Sequence, residues 1–206
     1  MVDPRTLTEL KELSSIPREF IPVIIDMLLH NSDPLVRFHV VGLFWKKGLR
    51  EINLPLLKAL QDPWTNYGAQ EILELSIKKK PLLVHQLLKL RRHSQKYVRQ
   101  SILHILKRGR FLNAILLFLK DEEREIRLLA ANFAMFIVPR KRLLKTFLKI
   151  VDALPPEDLP EFLKTVCSLL KFIPTEKILL LPPEVREGIK QLEIEKEDLP
   201  PWLILL

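Results

Sequence analysis

Apolar residues recur at spacings of three and four along nearly the whole chain, the pattern of amphipathic helices. Ile21, Ile24, Ile25, Leu28 and Leu29 form one stripe, and Leu82, Leu83, Leu87, Leu88 and Leu90 a second. Phe111, Ile115, Leu116, Phe118 and Leu119 form a third. The pattern predicts helices over 5–14, 18–30, 34–47, 53–61, 64–78, 81–92, 95–108, 110–120, 123–138, 140–153, 157–171 and 183–193. The segments between them are short, which makes successive helices antiparallel neighbours. Glycine is scarce, at 5 residues, and the 16 prolines punctuate Leu- and Lys-rich segments. Proline suits a first helical turn and breaks an interior, so this composition favours helices with tight connections over a sheet.

The helices come in repeating pairs. Asp33-Pro34-Leu35-Val36-Arg37 opens one helix, and Asp62-Pro63-Trp64-Thr65-Asn66 opens another in the same slot. Gln95-Lys96-Tyr97-Val98-Arg99 and Glu123-Arg124-Glu125-Ile126-Arg127 fill the slot twice more. Aligned on Arg37, Asn66, Arg99 and Arg127, the steps are 29, 33 and 28 residues. Each anchor precedes a small or apolar patch: Val40-Val41, Ala69, Ile102-Leu103 and Ala130-Ala131. A period near thirty residues with two helices in each is the mark of an α-solenoid.

This arrangement resembles the HEAT repeat family, especially its short bacterial variety. The residues that carry the resemblance are an Asp at a helix start, then Val-Arg three and four positions on. Asp33, Val36 and Arg37 match in full; the second slot lacks Val-Arg, and Gln95 and Glu123 replace the acid in the third and fourth. The resemblance covers residues 18–153 well and 157–193 weakly. The chain reads as a single domain over 1–193, followed by an acidic then apolar tail over 194–206, and the resemblance implies an all-α, right-handed solenoid of five to six antiparallel pairs. It also implies that Arg37, Arg99 and Arg127 pair with the helix-start acid of the same or the next repeat, and that second helices line a concave binding surface. The family holds scaffolds and enzymes alike, so the resemblance speaks to fold far more than to function.

Positions one, five and eight residues after each anchor lie opposite the buried stripe at 100° per residue. They are Phe38, Gly42 and Trp45; Tyr67, Glu71 and Glu74; Gln100, His104 and Lys107; and Leu128, Asn132 and Met135. Phe38, Trp45 and Tyr67 would make an aromatic patch with Glu71 beside it, extended by Gln100, His104 and Lys107, and aromatic residues dominate binding hot spots. The same four residues echo DNA glycosylases built from such repeats, although the acid there is an Asp. A capping role for the amino-terminal helix over Phe38 and Trp45 is the structural alternative.

Charge adds a second candidate surface. Net charge is +8, yet residues 75–120 hold twelve Lys or Arg and no Asp or Glu, so the rest of the chain is at −4. Basic groups gather where second helices end, at Lys47, at Lys78, Lys79 and Lys80, at Lys107, Arg108 and Arg110, and at Arg140 and Lys141. Arg91, Arg92 and Lys96 add to the middle repeats. Helix dipoles favour one cation at each such end, not three. An anionic partner, nucleic acid or an acidic protein face, is therefore the rival to a solvated edge.

Catalytic chemistry has little support. Five scattered glycines cannot cradle a phosphate, and His30, His39, His85, His93 and His104 show no metal-ligand spacing among themselves or with Cys167. No catalytic residue, metal or cofactor is expected. Cys167 is the sole cysteine and sits on an apolar stripe, which fits an inert thiol in a reducing cytoplasm. No apolar run approaches the roughly 18–20 residues of a membrane span, and the first residues lack the apolar stretch of a signal peptide. The expectation is a cytoplasmic, non-catalytic adaptor that binds a protein, with nucleic acid as the alternative ligand.

Overall fold

In the computed structural model, residues 16–46, 53–80, 82–170 and 181–190 are described. The side chains of Trp45, Lys46, Lys79, Cys167, Ser168, Leu170, Glu184 and Lys190 lie outside that description. So do Lys47, the expected first helix at 5–14 and the tail at 194–206.

Among the described residues the protein is all helical, with no strand. The α-helices are α1 (Ile21–His30), α2 (Pro34–Lys46), α3 (Asn53–Ala59), α4 (Asn66–Ser76), α5 (Leu82–Lys89) and α6 (Lys96–Gly109). They continue as α7 (Leu112–Leu116), α8 (Arg124–Ile137), α9 (Leu143–Val151), α10 (Leu159–Leu170) and α11 (Pro183–Lys190). Tight 3-10 turns extend several of them, at Arg18–Phe20, Ile77–Lys79, Leu117–Lys120, Arg140–Arg142 and Pro156–Asp158. Each predicted helix from residue 18 onward has a counterpart, because the signals are local. Pro22 and Pro34 occupy first turns, where a missing N–H costs nothing. The Asp33 carboxylate accepts the N–H of Leu35 at 2.9 Å, capping α2. No described helix is long and apolar enough to cross a membrane.

The chain divides into two compact units, residues 1–109 and 110–206. In the first, α1 packs on α2, α3 on α4 and α5 on α6. The even-numbered helices also form a layer, α2 against α4 and α4 against α6, while α1 packs on α3. Val40, Phe44, Leu56, Ala69, Ile72, Leu73, Val98, Ile102 and Leu106 fill the space between layers and are essentially inaccessible. Burying each large member of that set stabilises the unit by about 1.5–3 kcal/mol. Close approach of α2 to α4 depends on Gly68, where an added Cβ would stand 2.5 Å from Val41 Cγ1. Of the predicted stripe positions Leu82 departs from the pattern, at 84% exposed at the start of α5.

In the second unit α8 is central, with α7, α9 and α10 packed on it and α11 packed on α10. Ile126, Ala130, Ala131 and Ala134 are buried on α8, and the small side chains admit close neighbours. Phe147 of α9 and Phe162 of α10 stack with ring centroids 5.9 Å apart.

Candidate functional site

The anchor residues hold the loops together. Arg37 Nη1 donates to the carbonyl of Asn31 at 2.7 Å, Arg99 Nη1 to that of His93 at 2.6 Å, and Arg127 Nη1 to that of Asp121 at 3.0 Å. Asn66 does the same through Nδ2, 2.6 Å from the Leu60 carbonyl. In all four the acceptor lies six residues earlier, so one loop geometry recurs at each aligned slot. The residue supplying that carbonyl usually also accepts with its side chain. Asn31 Oδ1, His93 Nδ1 and Asp121 Oδ1 each take the N–H two residues on, at 2.9, 3.1 and 3.0 Å.

Two anchors also reach an acid that precedes a later helix. Arg37 Nε lies 2.7 Å from Asp62, and Arg127 Nε 2.7 Å from Asp158, which is wholly buried. Arg124 joins the second pair at 2.9 Å. Burial alone would raise the Asp62 carboxyl, but hydrogen bonds from Arg37 and from the Trp64 N–H, with the Arg37 charge, hold it below the usual carboxylate range. Arg37, Arg99 and Arg127 are thus consumed by structure, and Arg99 is only 2% exposed.

The expected outward face forms on the first unit's even-numbered helices. Phe38 is 51% exposed and Tyr67 69%. Gly42 faces open space. The Tyr67 hydroxyl donates to Glu71, and that bond together with the Glu71 charge pushes its pKa above the ordinary value. On the same helix Gln70 Nε2 donates to Glu74 at 2.9 Å. Glu74 acts electrostatically on His104 of α6, so α4 and α6 bring these positions together. His104 is held below the ordinary imidazole value, mainly by burial and further by Lys107, with Glu74 opposing. Gln100 and Lys107 are half-buried beside it on α6. The side chain of Trp45 lies outside the described residues.

The helical-wheel rule fails on α8. Leu128 and Met135, expected to face outward, are 7% and 2% exposed. Helices α7, α9 and α10 all pack on α8, so little of its circumference is left to solvent.

Sequence reasoning missed two residues of the patch. Leu35 and Trp64 stand two positions before their anchors and are 57% and 56% exposed. Each precedes an exposed aromatic by three residues, so Leu35 and Phe38 on α2 match Trp64 and Tyr67 at the start of α4. The Arg37–Asp62 contact sets these two helix starts side by side. Trp64 was hidden by placing it inside the helix; α4 begins at Asn66, and Trp64 lies in the turn before it. The corresponding Tyr97 is half-buried and donates to the Gln61 carbonyl at 2.7 Å, which ends the patch at α6.

The basic run is divided by its helix. Lys78 and Lys80 lie in or just after the turn that follows α4, and Lys107 and Arg108 near the end of α6, while Arg91 and Arg92 lie in the turn between α5 and α6 and Lys96 is the first residue of α6. A separation of eleven residues along a helix is about 16 Å, twice the Debye length of ~8 Å at physiological salt. Lys78, Arg92 and Arg108 are exposed, and Lys80, Arg91 and Lys96 are half-buried. Lys47 and the Lys79 side chain lie outside the described residues. In the second unit Arg110, Arg140 and Lys141 are exposed, and Arg110 Nη2 donates to the Ile137 carbonyl at 2.9 Å, at the end of α8. Among the described residues no group of three or more His, Cys, Asp or Glu is placed to hold a metal. No protein-family profile, curated protein or solved structure matches this chain.

Proposed function

We propose that this chain is a binding module built of HEAT-like helix pairs, α1–α2, α3–α4 and α5–α6, that holds a protein partner on its second helices. Support for the repeat comes from the recurring bond between each anchor and the carbonyl six residues earlier. The binding reading rests on one observation: Leu35, Phe38, Trp64 and Tyr67 are exposed at matching positions around the starts of the adjoining helices α2 and α4. Large apolar side chains clustered on a surface mark an interaction site, and aromatic ones carry most of the energy of such sites. Glu71 and Glu74 rim the patch, so the complementary segment is apolar with a cationic neighbour.

Capture from a lysate of the expressing cells, with and without nuclease, tests this. The triple variant Phe38→Ser, Trp64→Ser, Tyr67→Ser should keep its helical circular dichroism and lose its captured protein. Trp64→Ala alone should weaken binding by ~2 kcal/mol, about thirtyfold. Equal capture by the triple variant would sink the reading.

A second reading takes nucleic acid as ligand, favoured by exposed Lys78 and Arg108, on the turn after α4 and the helix α6 packed against it, in a stretch with no acidic residue. Four to six phosphate contacts would give log affinity a slope of about −4 to −5 against log salt. Affinity for DNA and RNA no better than millimolar at low salt would remove it.

A further inference from the structure

The odd-numbered helices of the first unit carry a groove of their own. Helix α3 packs on α1 and α4, and α5 packs on α6, and between α3 and α5 the surface opens into a hollow of about 390 Å³. Leu29, Leu54, Leu57 and Leu90 supply apolar walls, and Leu54 is 63% exposed. Lys58 and Lys89 stand at its edge, both exposed, and among the described residues neither is in an ion pair. Leaving Leu54 in water forgoes stabilisation that covering it would recover, and two uncompensated cations beside an apolar floor define the complement.

We propose that this groove is a second docking site, for a partner peptide segment whose leucine-type side chains are flanked by carboxylates. The apolar side chains fill the space between α3 and α5, in the manner of a segment laid into a helical groove. The carboxylates meet Lys58 and Lys89, and charge at the rim sets orientation and encounter rate more than affinity. A small amphiphile is the weaker fit, because such ligands are mostly buried in enclosed pockets, whereas the wall at Leu54 is open. The site lies on α1, α3 and α5, so it does not depend on the patch of α2 and α4.

The test uses the full chain and a short fluorescein-labelled peptide of leucine and glutamate, read by anisotropy. Saturable binding is expected, weakened about tenfold or more by Leu54→Ser and by the double variant Lys58→Glu, Lys89→Glu. The matched double variant Lys145→Glu, Lys149→Glu on α9 carries the same change in net charge and should bind as the parent does. A peptide with lysine in place of glutamate should bind weakly. The proposal is overturned if the two peptides bind alike, if the groove and α9 variants behave alike, or if the peptide does not saturate. Saturable binding of decanoate with no binding of the peptide would overturn it in favour of a small amphiphile.

Discussion

Arg37 and Asp62 meet at 2.7 Å across twenty-five residues of chain, tying the start of α2 to the turn before α4. The contact is three-sided, because Arg37 Nη1 also donates to the Asn31 carbonyl at 2.7 Å and the Asp62 carboxylate accepts the Trp64 N–H at 3.1 Å. Hydrogen bonds to charged groups contribute about 1.5–3 kcal/mol each. Asp62→Asn should therefore lower the unfolding free energy by ~2 kcal/mol in a urea titration at neutral pH. Arg37→Lys should lower it as well, since an ammonium cannot span both acceptors as the planar guanidinium does. A loss below ~0.5 kcal/mol, the scatter of ordinary surface changes, would show the contact to be incidental.

The same pair sets an acid limit. The Asp62 carboxyl is held below its ordinary range in the folded chain, as burial is outweighed by Arg37 and the Trp64 N–H. A group depressed by folding stabilises fully above its unfolded value, about 3.9 for Asp, and loses that contribution as pH falls through the lower folded value. Stability should fall below about pH 4, less steeply in Asp62→Asn. Parallel curves for the two proteins would contradict this.

His104 acts in a higher window. Burial, helped by Lys107, holds its imidazole below the ordinary value. The folded chain then binds fewer protons than the unfolded one, so the contribution is complete above about pH 6.5 and fades as pH drops. His104→Gln should flatten the stability profile between roughly pH 7 and pH 5, as thermal melts at matched ionic strength would reveal. An unchanged slope would assign the decline elsewhere.

In the second unit Asp158 is wholly buried between Arg124 at 2.9 Å and Arg127 at 2.7 Å. Removing one partner of a buried pair leaves the other charge uncompensated, at a cost of about 3–5 kcal/mol. Asp158→Asn should be among the most destabilising single changes in this unit. Arg124→Met should cost much less, because its side chain is 51% exposed against 12% for Arg127.

Two helical glycines should respond oppositely to alanine. A Cβ at Gly42 of α2 meets nothing within 4 Å, whereas one at Gly68 of α4 meets Val41 Cγ1 at 2.5 Å. Gly42→Ala should stabilise by the helix-propensity difference of about 0.8–1 kcal/mol. Gly68→Ala should lose that gain to the clash, and Gly68→Leu should destabilise by ~1–3 kcal/mol through overpacking. Paired chemical-denaturation curves decide it.

The helices from residue 18 onward, the start of α2 at Asp33-Pro34 and the aligned anchors were legible in the residues alone, whereas Asp62-Pro63 opens a turn and α4 begins at Asn66. These features rest on local chemistry: the 3.6-residue period, the fixed φ of proline and a carboxylate within reach of a nearby N–H. The pairing of Arg37 with a helix-start acid was an expectation of the resemblance to HEAT repeats, and the Arg37–Asp62 contact agrees with it. The shared carbonyl bond was not legible, because Asn66 makes it in one slot with a different side chain from Arg37, Arg99 and Arg127. Exposure was decided by tertiary packing. A helical wheel assigns an angle, but only the neighbours determine whether that angle is covered. Leu128 and Met135 therefore went inward on a helix flanked by α7, α9 and α10, while Leu35, Trp64 and Leu82 stayed out. The basic run, contiguous along the chain, was parted by the length of α6 because a rigid helix separates its ends farther than screened charges can reach.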